Sequence, residues 1–136
     1  MSTMADKSAY VGRWKIVETY DEQNQLVTLP EGDFYLQLAE SDNSADNFLS
    51  AYIKVGNSMR SRITFLGESS SGIGDTISVG AVMSTMMMPP DSLFRLETYF
   101  TNTLPKMNLI EKETVDGTTQ LIFLGQGKIV CEETAE

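Results

Sequence analysis

Histidine is absent from the 136 residues, and cysteine occurs once, at Cys131. Without imidazole there is no Ser-His-Asp triad, no Cys-His pair, no imidazole metal ligand and no histidine pH switch. A single thiol forms no internal disulfide, which suits a reducing compartment. Cys131 sits in an apolar run beside Glu132, and a neighbouring carboxylate raises a thiol pKa, so it reads as a packed residue and not a nucleophile. Cations are scarce too: 10 Lys and Arg stand against 19 Asp and Glu, for a formal net charge of −9. Nucleic acid and anionic membrane are poor partners for such a chain, because counterion release needs clustered Lys and Arg. Long apolar runs are missing. The longest is Leu121 to Leu124, so no membrane span is expected. Met1 to Ala9 is polar, with no apolar segment of a secretory signal and no Met-Gly start for myristoylation. The expected location is cytoplasmic. The length fits one domain, large enough to bury a core without a staple.

What is present is mostly period two. Residues 1–9 read as a disordered leader. From there Tyr10, Trp14 and Ile16 share one strand face, with Arg13, Lys15 and Thr19 opposite, although Val11 and Val17 break the alternation. Leu26 to Leu29 reads as a short strand before a turn at Pro30 to Asp33. Phe34, Leu36 and Leu38 alternate with Tyr35 and Gln37. Leu49, Ala51, Ile53 and Val55 alternate with Ser50, Tyr52 and Lys54. Across Gly56-Asn57, Met59, Ile63 and Phe65 alternate with Arg60, Arg62 and Thr64, the pattern of a β-hairpin. After the Gly/Ser-rich stretch Gly67 to Gly74, a strand opens at Ile77 and Val79 and is expected to run through Ala81, Val82 and Met83. Pro89-Pro90-Asp91-Ser92 reads as a helix start, with Asp or Ser as cap. Leu93, Leu96, Phe100 and Leu104 recur at helical spacing until Pro105. Strands return over Met107 to Thr114, Leu121 to Leu124 and Ile129 to Cys131, with a turn at Asp116-Gly117.

About seven or eight short strands and one helix near 91–104, without βαβ alternation, predict a mainly β (α+β) domain over 10–132. A strongly curved antiparallel sheet or small open barrel, closed at one end by the helix, fits this count. Residues 133–136 read as a frayed acidic tail.

Four of the eight methionines cluster at Met83, Met86, Met87 and Met88. Three consecutive Met cannot all face one side of a strand. The cluster reads as core packing, as an adaptable apolar surface for a ligand or peptide, or as thioether ligands for Cu(I) without Cys or His to help. Phe94 and Phe100 on the adjoining helix join it as candidate apolar binding residues, and Trp14 is expected in the core. The other aromatics read as core and not as a binding platform. Arg60 and Arg62 share one face, which reads as solvated or ion-paired. The acids, Glu111, Glu113, Asp116, Glu132 and Glu133 among them, show no EF-hand spacing. Gly67 to Gly74 lacks the Lys-Ser/Thr of a phosphate loop. No cofactor, metal site or catalytic residue is read from the chain. An enzyme would have to work through carboxylate, Lys, Tyr or Ser.

Gly12-Arg13-Trp14 resembles the Gly-X-Trp start of lipocalins, in which the Trp plugs one end of the barrel. A fuller resemblance is to the META domain, a heat-shock-associated, lipoprotein-like family of bacteria with relatives in protozoan parasites. It is carried by Asn57-Ser58-Met59-Arg60, Val82 to Met88, Leu96-Glu97 and Leu104, then by the Asp116-Gly117 turn and Leu121-Ile122-Phe123. It spans about residues 10–132 in order, most specifically Val82 to Leu104. Many bacterial members carry two cysteines thought to pair, at places that here look like Gly56 and Pro89, and the joint absence agrees with a reducing compartment. The resemblance implies a small β-rich fold without established catalytic activity, linked to stress response, motility or secretion in bacteria and to virulence in parasites. It supplies no catalytic residues. Glu97 is expected to pair with a nearby strand or backbone, and Thr85 to hydrogen-bond within the sheet.

The expectation is therefore a monomeric, non-catalytic module that binds an apolar small molecule, a lipid or an apolar segment of a protein partner. Its alternatives are an acidic assembly module for a basic partner and a lipocalin-like carrier.

Overall fold

The structure is a computed structural model that describes residues 7–41, 46–70, 73–85 and 88–134. After a 3-10 turn at Lys7–Tyr10 come β1 (Gly12–Tyr20), β2 (Leu26–Val27), β3 (Tyr35–Glu40), β4 (Phe48–Lys54), β5 (Ser58–Glu68), β6 (Asp75–Val79) and β7 (Met83–Ser84). Helix α1 (Asp91–Thr103) and a 3-10 turn at Leu104–Lys106 follow, then β8 (Met107–Val115), β9 (Thr118–Gly125) and β10 (Gly127–Glu133). Every pairing is antiparallel, in the order β10-β9-β8-β6-β5-β4-β3-β1, and β1 also pairs with β10. Eight strands therefore close a barrel, whereas the sequence pattern left it open. Strands β2 and β7 are short additions on β1 and β5.

Alternating apolar residues account for the closure. Leu36 and Leu38 of β3, Leu49, Ala51 and Ile53 of β4, and Met59, Ile63 and Phe65 of β5 all point inward and are buried. They join Ile77, Ile110, Leu121, Phe123, Ile129 and Cys131 in one continuous apolar cluster. An eight-stranded barrel is narrow enough for its own side chains to fill it. Tight turns set the register. Asp116 and Gly117, both at positive φ, make the two-residue β8–β9 turn between the paired Val115 and Thr118.

Two departures from the alternation have local causes, and the helix start differs as well. Thr19 was expected outside, but it is fully buried and its Oγ1 donates to Val27 O at 2.8 Å. A β-bulge between Ile16 and Glu18 leaves Val17 as an extra residue and reverses the phase beyond it. The strand from Ile77 does not run on to Met83. It stops at Val79, and Gly80 N donates to Arg62 O before β7 resumes pairing with β5 at Met59 and Arg60. Helix α1 carries no side-chain cap: Pro90 holds the N-cap position, and Asp91 falls in the first turn.

The two ends of the barrel are closed differently. At one end Tyr10 and Trp14 are buried, and Trp14 Nε1 donates to Tyr10 O at 3.0 Å. Tyr10 Oη donates to the buried Asp75 Oδ2 at 2.6 Å, and its ring stacks on Phe65. The leader thus has a structured end: Lys7 Nζ reaches Glu40 at 2.6 Å, and Ala9 O accepts from Lys112 Nζ at 2.8 Å. Residues 1–6 of that leader lie outside the described residues. Of the expected frayed tail, residues 133 and 134 are held in place and residues 135–136 lie outside the described residues. Glu133 lies opposite Trp14 in β10, and Thr134 Oγ1 donates to Arg13 O at 2.9 Å.

At the other end α1 lies across the barrel. Its apolar stripe, Leu96, Tyr99 and Phe100, continues into Leu104, and all four are buried. Tyr99 Oη donates to Tyr20 O at 2.6 Å, fixing the helix to the last residue of β1. Among the described residues no helix is long and apolar enough to cross a membrane.

Candidate functional site

The helix-covered end brings together residues that are far apart in the chain. Glu97 projects from α1 beneath the β4–β5 turn. Its Oε2 accepts from the backbone N–H of Gly56 at 3.0 Å and from that of Asn57, while Oε1 accepts from Asn57 Nδ2 at 2.8 Å. Asn57 Oδ1 accepts in turn from Thr85 Oγ1 at 2.8 Å. Thr85 closes the set by accepting from Ser58 N and by donating its own N–H to Ser58 O, each at 3.1 Å. Glu97 and Asn57 are both buried. Their polar atoms are occupied by one another, as burial requires. No buried side-chain nitrogen or oxygen among the described residues lacks a partner.

This chain of bonds ties the β4–β5 turn, the residues after β7 and the helix into one unit. The sequence marks each of its members separately. One signal within α1 does point inward: Glu97 lies between Leu93, Leu96 and Phe100, on the apolar side of the wheel, where an acid needs a buried partner. The clip also sets how closely the helix lead-in approaches the turn. A Cβ on Gly56 would lie 2.5 Å from Pro89 Cβ and 3.0 Å from Glu97 Oε2. Glycine at position 56 therefore lets the backbone reach the carboxylate.

Beside the clip, apolar side chains are left in solvent. Met83 is 75% exposed, Met88 93% and Phe94 54%. Met86 and Met87 lie outside the described residues. Phe100, grouped with them from its helical spacing, is instead fully buried and packs edge-on against Tyr99 at 5.4 Å. It lies six positions beyond Phe94, about 120° away around the helix, on the side that faces the barrel. Of the described candidates, then, three are available to a partner and Phe100 is not. Core packing does not account for Met83 or Met88. An apolar crevice too narrow to admit a water molecule lies nearby between Ala51, Ile53, Met59, Val82 and Leu104, with Arg60 and Ser61 at its border.

The remaining reactive groups are enclosed. Burial pushes the Cys131 thiol well above its ordinary pKa, and the sulfur is fully inaccessible. Burial likewise raises Tyr99, whose hydroxyl is committed to Tyr20 O. Trp14 is a core residue, 2% exposed. Among the described residues no three Cys, Asp or Glu side chains gather where a metal could be held.

No family model matches the chain. No curated protein matches it. Among solved structures it is similar to the NMR structure of a protein from Burkholderia xenovorans, at a TM-score of 0.63 and 13% identity, covering 99% of this chain and 90% of that one. At that identity the likeness is one of fold: the whole chain, barrel and helix together, has a counterpart of similar architecture.

Proposed function

We propose that the protein is a non-catalytic binding module of the META type, and that its helix-covered end takes an apolar segment of a protein partner. The observation that carries this reading is the exposure of Met83, Met88 and Phe94 close to the clip, Met88 being the most exposed of eight large apolar residues in solvent among the described residues, the others being Val11, Leu26, Leu66, Ile73 and Val115. Large apolar side chains left in water near one another lower solubility unless something covers them. Flexible thioethers suit a surface that must fit an irregular partner. The packed interior favours a surface site over a lipocalin-like internal ligand.

The META assignment is supported by the way its carrying residues meet. Asn57, Thr85 and Glu97 are consecutive links of one hydrogen-bond chain. Gly56 and Pro89, at the places of the family's two cysteines, are in contact. The non-catalytic reading is supported by the carboxylates themselves: Glu97 and Asp75 are buried and spend their oxygens on protein donors. We place the domain in the cytoplasm on the strength of its single enclosed thiol. The second reading, an acidic module for a basic partner, rests on the net charge and on Glu113 and Asp116 standing exposed at the β8–β9 hairpin.

Binding of the neutral dye Nile red, with displacement by amphipathic helical peptides, tests the apolar site. The parent protein should enhance dye fluorescence, and peptide should displace the dye. The triple variant Met83→Ser, Met88→Ser and Phe94→Ser should abolish both effects without changing the melting temperature. Equal dye and peptide binding by the variant removes the proposal.

A further inference from the structure

We propose that the outer face of β3, β4 and β5, with the adjoining part of β1, is a docking site for an extended acidic polypeptide segment. The chain is acidic as a whole, yet five of its ten cations, Arg13, Lys15, Lys54, Arg60 and Arg62, point outward from this one side of the barrel. Strand register aligns Arg13, Gln37, Tyr52 and Arg60 in a row across β1, β3, β4 and β5. At the usual strand separation that row is about 14 Å long. Arg62 stands one step below Arg60 on the same face, opposite Ser50. The outward positions of β3 and β4, and those of β5 as far as Leu66, hold no carboxylate. Of the five cations, Lys15 alone has an ion-pair partner among the described residues, Asp33 at 3.3 Å.

Aromatic rings hold the guanidinium groups in place. Arg13 lies 3.7 Å above the Tyr35 ring and Arg62 3.9 Å above Phe48, while Arg60 is 5.2 Å from the Tyr52 centroid. A guanidinium resting on a ring face keeps its N–H edges free, and that planar fork matches a carboxylate with two hydrogen bonds. Three such pre-oriented forks, with no acid partner among the described residues, form a receptor for carboxylates. An extended chain suits them, because side chains two residues apart on a strand share a face at the same spacing as Arg60 and Arg62.

Single-stranded nucleic acid fits the face less well. Its bases need open aromatic faces to stack on, and here guanidinium groups lie over the rings. The acids elsewhere on the molecule do not forbid local attraction, since at ordinary salt the screening length is about 10 Å. The chain-wide charge of −9 describes an average that this face departs from.

The test is fluorescence anisotropy of a labelled peptide of alternating Glu and Ser, which has no apolar residue and so does not depend on the Met83–Phe94 surface. The parent protein should bind it, more weakly as salt rises. Arg60→Gln with Arg62→Gln should weaken binding by about tenfold or more, as loss of charge-assisted hydrogen bonds predicts. Arg95→Gln with Lys106→Gln, a matched loss of two cations elsewhere, should leave binding unchanged. Far-UV circular dichroism checks that both variants are folded. The proposal is overturned if the peptide does not bind, if the two double variants behave alike, or if an oligothymidylate of equal charge binds more tightly than the peptide.

Discussion

The two ends of the barrel are closed with similar materials to different effect. Around Trp14 the core is closed by Tyr10 and Trp14, both buried, with Asp75 hydrogen-bonded to Tyr10, while Val11, Leu66 and Ile73 stand exposed around it. Around α1 the closure is equally well bonded, through Glu97, Asn57 and Thr85, yet Met83, Met88 and Phe94 remain in water beside it. The first end uses its large side chains for stability. The second ties helix, turn and intervening segment together through a buried hydrogen-bond chain, with two methionines and a phenylalanine exposed beside it. Under the proposed binding role, the clip that fixes the turn, the helix and the segment between them supplies the preorganisation.

This contrast can be broken by substitution. Trp14→Ala should have the largest effect, roughly 3–5 kcal/mol by urea denaturation, because a buried indole leaves a cavity and Tyr10 O loses its donor. An unchanged midpoint would show that the Trp14 end does not hold the barrel shut. Glu97→Gln comes next, at roughly 1–3 kcal/mol, since one acceptor becomes an NH2 group facing buried N–H donors. If this variant is as stable as the parent, the helix end is not held by the clip.

Alkaline pH probes the wall between the two ends. The ordinary thiol pKa is 9.0, and burial raises that of Cys131. Above pH 9 the unfolded chain therefore loses a proton that the folded chain keeps. Stability is fully present below that pH and falls as pH rises, by up to about 1.4 kcal/mol per pH unit from this one group. Cys131→Ala should make the decline between pH 9 and 10 shallower, and an identical slope would mean that the thiol is not enclosed. The smallest effect is expected for Phe94→Ser, within about 0.5 kcal/mol of the parent. A larger loss would place Phe94 in the core and erase the difference between the ends.

Much of the fold was legible in the chain. Alternation on either side of Gly56-Asn57 marked the β4–β5 hairpin and its inward residues, because one face of a barrel strand must be apolar. The Leu96, Phe100 and Leu104 spacing marked the helix. The bulge at Val17 was visible only as a break in pattern, and the inward turn of Thr19 was not, because a one-residue slip is decided by the partner strand. In the candidate site, the Met cluster and Phe94 were singled out from composition and spacing, and the structure leaves Met83, Met88 and Phe94 exposed. The burial of Phe100 depended on which side of α1 the barrel lies.

Residue order alone determined the β class, the helix, the apolar faces and the lack of imidazole chemistry, since these follow from local periodicity and from which side chains exist. Tertiary structure decided closure of the barrel by β1 and β10, the meeting of Glu97 with Asn57 and Thr85, and the gathering of cations on one face of an acidic chain. Each of these depends on contacts between residues tens of positions apart. Pairing register and close packing set such contacts, and no local pattern encodes them.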